Sequence, residues 1–77
     1  MAKFQFHLST DAFNVLVNGL EQQFGKAKHV ADLYCASLRH SAYTLSYATD
    51  HGSNVLAILD VEPSWQIPEP LQAHCHD

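Results

Sequence analysis

From Asn54 to Val61 the chain reads NVLAILDV, an aliphatic run broken only by Asp60. Side chains alternate across a strand, so a run without alternation is apolar on both faces and predicts a strand inside a sheet. The rest of a 77-residue chain has to be arranged around it. Upstream, YTLSYAT sets Tyr43, Leu45 and Tyr47 against Thr44, Ser46 and Ala48, the pattern of a half-buried strand. TDHGSN between the two is turn chemistry, with Gly52 free to take positive φ. The N-terminal KFQFHLS alternates as well, with Phe4, Phe6 and Leu8 opposite Lys3, Gln5 and His7. These patterns predict a central strand 54–61, hairpinned to 43–48, with 3–8 on its other side.

Helical spacing follows the first strand. Ser9 or Thr10 can cap orphan amides, Asp11 suits the positive end of a helix dipole, and Phe13, Leu16, Val17, Leu20 and Phe24 form one stripe. Gly25 is placed to end that helix, and Gly19 inside it weakens it or lets another element approach. KAKHVADLYCASLRH predicts a second helix with Ala27, Val30, Ala31, Tyr34 and Leu38 as its stripe, although LYCASLRHSAYTLSY also alternates like a strand. The expected fold is therefore α+β: two-layer βααββ, with a three-stranded, mostly antiparallel sheet and two helices on one face. Residues 1–61 form the domain. Residues 62–77 form a proline-rich tail, where Pro63, Pro68 and Pro70 forbid regular helix or interior strand, leaving an extended segment and a frayed end.

The tail holds the single tryptophan. Trp65 and Ile67 alternate in a proline-stiffened strip that either lies back on the domain, covering the exposed sheet face with Trp65, or docks into a partner's groove. Charge divides along the chain. Residues 1–39 hold Lys3, Lys26, Lys28 and Arg39 against Asp11, Glu21 and Asp32. Residues 40–77 hold no Lys or Arg and carry Asp50, Asp60, Glu62, Glu69 and Asp77. An acidic half repels phosphate backbones and favours basic or neutral partners. The expected docking set is Asp50, Asp60, Glu62, Trp65, Ile67 and Glu69, with Trp65 as anchor and the acids as a steering rim.

Other chemistries are thinly supported. His74, Cys75 and His76, with Asp77, could ligate zinc, nickel or copper, which is the alternative function. A second ligand pair with recognised spacing is missing. Cys35 and Arg39 would share a face of the second helix, where a guanidinium could activate the thiol, against the plainer reading of a small apolar cysteine. A helix-turn-helix threaded through 24–43 fails, because Cys35 falls where glycine belongs and Ser41 where an apolar anchor belongs. With few cations there, nucleic acid is not an expected partner. No glycine-rich phosphate loop and no catalytic carboxylate pair is readable, so the chain does not read as an enzyme and implies no cofactor. No run approaches the ~18 apolar residues of a membrane span, and the start lacks a signal-peptide block. The expectation is a cytoplasmic adaptor or inhibitor that binds another protein, without membrane contact, and able to homodimerise through an open sheet edge.

Overall fold

The computed structural model describes residues 1–33, 35–49 and 54–76. Strand β1 (Ala2–Ser9) leads directly into helix α1 (Thr10–Phe24). Four strands follow: β2 (Lys28–Ala31), β3 (Ala36–Arg39), β4 (Tyr43–Thr49) and β5 (Asn54–Val61). A single helical turn, α2 (Glu69–Gln72), and a two-residue strand, β6 (Cys75–His76), complete the described chain. One sheet in the order β2-β3-β4-β5-β1-β6 contains every strand, and every pairing is antiparallel. Among the described residues no helix is long and apolar enough to cross a membrane.

β5 is flanked by β1 over its whole length and by β4 from Val55 to Val61, as its aliphatic run predicts. The entry to α1 follows from local chemistry. Ser9 is extended, and its hydroxyl accepts a hydrogen bond from the Ala12 amide at 3.2 Å. At the other end Gly25, at φ 115°, donates its amide to the Glu21 carbonyl at 2.9 Å, a backbone geometry that disfavours any side chain. α1 buries Leu16 and Leu20 against the alternate residues of the sheet: Phe6, Leu8, Leu45, Leu59 and Val61.

The βααββ layout is corrected by the second segment. Residues 28–39 are not a helix; they are the strand pair β2–β3, and the sheet is mostly strand with one long helix on it. The reason is β4. Its outer edge would otherwise present a row of unsatisfied backbone groups, and β3 occupies that edge from Ala36↔Tyr47 to Arg39↔Thr44. The same register packs Leu38 against the core. Alanine's helix preference, a few tenths of a kcal/mol per residue, is small beside a strand's worth of ladder bonds.

A second correction concerns the faces of β5. Its burial alternates strictly from Asn54 to Leu59, and Leu56 and Ile58 remain 53% and 42% exposed. The strand is central in the sheet but covered on one side only.

The proline-bearing segment lies against the domain. Trp65 is 5% exposed and meets the Phe4 ring edge-on, with centroids 5.4 Å apart. Leu71, from the α2 turn, is fully enclosed in the same cluster. Two expectations for the tail are corrected. Residues 69–72 are helical, with Pro70 in the first turn where its missing N–H is not needed. The expected frayed end is instead strand β6, which pairs Cys75 with Phe6 and His76 with Gln5 along the outer edge of β1.

Two stability outcomes follow, both read by urea unfolding. Trp65→Ala should cost about 3–5 kcal/mol, most of what so small a domain has. Gly19→Ala should stabilise by about 0.5–1 kcal/mol, because a Cβ built there meets nothing within 4 Å and the helix gains propensity.

Candidate functional site

The uncovered face of the sheet is the candidate site. Strand alternation and register assign its residues. β1 sends Lys3, Gln5 and His7 outward, β5 sends Leu56, Ile58 and Asp60, and β4 sends Thr44, Ser46 and Ala48. β3 contributes Ser37 and Arg39, and β2 contributes Lys28 and Val30. At the centre Leu56 lies between Ala48 and His7, and Ile58 between Ser46 and Gln5. These side chains border a shallow groove of about 420 Å³ that ends at the exposed Cys35. Its floor is the sheet itself at Phe6, Tyr47 and Ala57, whose side chains pack on the other side. The solvated face of an antiparallel sheet is usually polar, so two adjacent aliphatic residues at its middle stand out.

Charge sorts by face. A row across the strands runs Lys28, Arg39, Thr44, Asp60, Lys3. The helix side is the reverse: α1 carries Asp11 and Glu21, α2 carries Glu69, and neither helix has a Lys or Arg. The sequence division into a basic first part and an acidic second part becomes, in three dimensions, a division between sheet face and helix layer.

The residues singled out from sequence are therefore spread over the molecule. Asp60 is half-buried on the open face. Glu62 is exposed just beyond β5, where its amide donates to the Ala42 carbonyl and its own carbonyl accepts from Trp65. Trp65 and Ile67 pack on the core from the helix side. Glu69 is exposed in the first turn of α2, and Asp50 lies outside the described residues. The expected Cys35–Arg39 face does not form, because Cys35 precedes β3 and Arg39 ends it, about 13 Å along an extended chain. Among the described residues no three His, Cys, Asp or Glu side chains gather as metal ligands. Of the C-terminal candidates, Cys75 packs against the core. His74 takes a backbone role, its carbonyl accepting from the His7 amide at 3.2 Å, and Asp77 lies outside the described residues.

Sequence reading missed two features. One is that the face opposite the helices stays uncovered and carries Leu56 and Ile58, where the sequence reading puts both helices on one side and the proline-bearing strip over the other. The other is a polar cluster at the start of β4. His40 stacks on Tyr43 with centroids 5.2 Å apart and accepts the Ala42 amide at Nδ1, 3.0 Å away. The Tyr43 hydroxyl donates to the Gly25 carbonyl at 3.0 Å, tying the helix end to the sheet. Scattered histidines carry no sequence signal for such a pairing.

Comparison with protein-family models, curated proteins and solved structures gives no match to this chain. The functional reading therefore rests on the geometry and chemistry of the face.

Burial pushes the Tyr43 phenol above its ordinary value of 10.0, and the nearby negative charge of Glu21 adds to the effect. The neutral phenol is thus favoured in the fold. Its contribution is complete below pH 10 and is lost as pH rises through the raised folded value. Tyr43→Phe should cost about 1 kcal/mol at neutral pH through the lost hydrogen bond. It should also remove this alkaline loss, as measured by urea midpoints from pH 8 to 11.

Proposed function

We propose that this protein is a small protein-binding module, an adaptor or inhibitor, whose contact surface is the uncovered face of its sheet. The observation that carries the reading is the exposure of Leu56 and Ile58 at the middle of a face whose other outward side chains, apart from Val30 on the edge strand, are small, polar or charged. Covering them removes aliphatic surface from water at roughly 25 cal/mol per Å². Burying a patch of about 800 Å² per partner, the size of an ordinary specific interface, would need most of this side of the domain. Trp65, the anchor suggested by sequence, is committed to the core, so the aliphatic pair takes that role and Lys3, Lys28, Arg39 and Asp60 form the rim.

A photo-crosslinking residue at position 48, on the open face, tests this against one at Gln22, exposed on α1. The reading expects one discrete protein adduct from position 48, lost on adding Leu56→Asp, and none from position 22. Leu56→Asp should cost about 1–2 kcal/mol, from lost half-burial and poor strand propensity, and leave the domain folded, which the urea midpoint checks. Adducts from position 22 alone, or from neither position, would refute it.

A further inference from the structure

Resting on that reading, we infer that the partner presents an acidic amphipathic segment: aliphatic side chains for the Leu56–Ile58 centre, with carboxylates beside them for the cationic row. The register carries this. Lys28 and Arg39 are directly opposed on neighbouring strands, on the same face. Like charges so placed repel and lower stability. Among the described residues no ion pair relieves them. Edge protection explains a lysine on β2, the outermost strand, but not an arginine on β3, which is paired on both sides. A repulsion kept without internal compensation has its physical counterpart in an external anion.

The row has one cationic position without an opposed carboxylate, Lys28 with Arg39; at its other end Lys3 stands directly opposite Asp60, a cross-strand pair of opposite sign, with Thr44 between the two ends. With strands about 4.8 Å apart it spans roughly 19 Å. It crosses the face two residues from Ile58 and four from Leu56 along β5, about 7 and 13 Å. A segment lying along the strands would thus meet aliphatic surface first and positive charge next. The acidic helix layer on the far side repels the same segment, so the field of the protein orients its approach.

The same cations could meet a nucleic acid backbone, but the face lacks the means to hold bases. Phe4, Phe6, Tyr43 and Tyr47 all turn to the helix side, leaving no aromatic platform among the described residues of the open face.

The experiment uses the full chain and three probes: a Leu/Glu amphipathic peptide of about 18 residues, its Leu/Lys counterpart with the same apolar spacing, and a single-stranded DNA oligonucleotide of similar length. Affinities come from fluorescence anisotropy at low and high salt, and the binding surface from amide chemical shifts. The Leu/Glu peptide should bind at least about tenfold tighter than the Leu/Lys peptide, weaken with salt, and shift residues of β3, β4, β5 and β1 on the open face. Lys28→Glu, which replaces repulsion with a cross-strand pair, should raise the melting temperature by roughly 1–4 °C and cut Leu/Glu affinity about tenfold. A rise in stability together with a loss of binding separates charge recognition from damage to the fold.

Equal or tighter binding of the Leu/Lys peptide at the open face overturns the inference while leaving the protein-binding reading in place. Tighter binding of the DNA, or self-association that covers the face in sedimentation, overturns it in favour of that other occupant. Shifts confined to the helix layer, or no binding by any probe, also overturn it. If position 48 then yields no adduct either, the protein-binding reading falls with it.

Discussion

One helix of 15 residues has to cover this sheet. At about 22 Å long and 10 Å across, it spans barely half of a six-stranded sheet roughly 24 Å wide, and it can lie on one face only. Two consequences organise the molecule. On the covered side, the space beside α1 is filled from the C-terminal segment, which brings Trp65 and Leu71 into the core. On the other side nothing in the described chain lies over β5, and its second aliphatic pair stays in water. The prolines fit the first role. They stiffen a strap that crosses from the end of β5 to the outer edge of β1, where β6 closes it down.

Charge follows the same division. The carboxylates of α1 and α2 occupy the helix layer, and three of the four cations occupy the open sheet face. A linear tally sees an acidic half and a basic half. Folding β1, β2 and β3 into one sheet brings Lys3, Lys28 and Arg39 together in a single row, with Asp60 as the one carboxylate among its described residues. The charge that the open face presents is set by that row and not by the half of the chain a residue comes from.

Much of the framework was legible. Alternation in KFQFHLS and YTLSYAT, the Ser9 cap, the Gly25 stop and the pairing of 54–61 with both neighbouring strands all appear where the spacing puts them. The segment 28–39 was not, because its alanines, leucine and charges satisfy a helical stripe and an alternating strand equally well; the open edge of β4 decided between them. The residues of the expected docking set do not share one surface, for a related reason. An aliphatic run signals that a strand has neighbours on both edges, yet it does not say that both faces are covered. Trp65 was rightly seen as a side chain needing cover, but it packs beside Phe4 on the helix side and not over the open sheet face, where the strip was expected to lie.

Side-chain methyl relaxation by a soluble gadolinium chelate tests the one-sided sheet most directly. If the account holds, the methyls of Leu56 and Ile58 are strongly broadened while those of Leu16, Leu20, Leu45 and Leu59 are protected, two adjacent positions of β5 differing as sharply as surface from core. Equal protection of Leu56 and Leu59 would contradict it, since the face assigned to docking would already be covered.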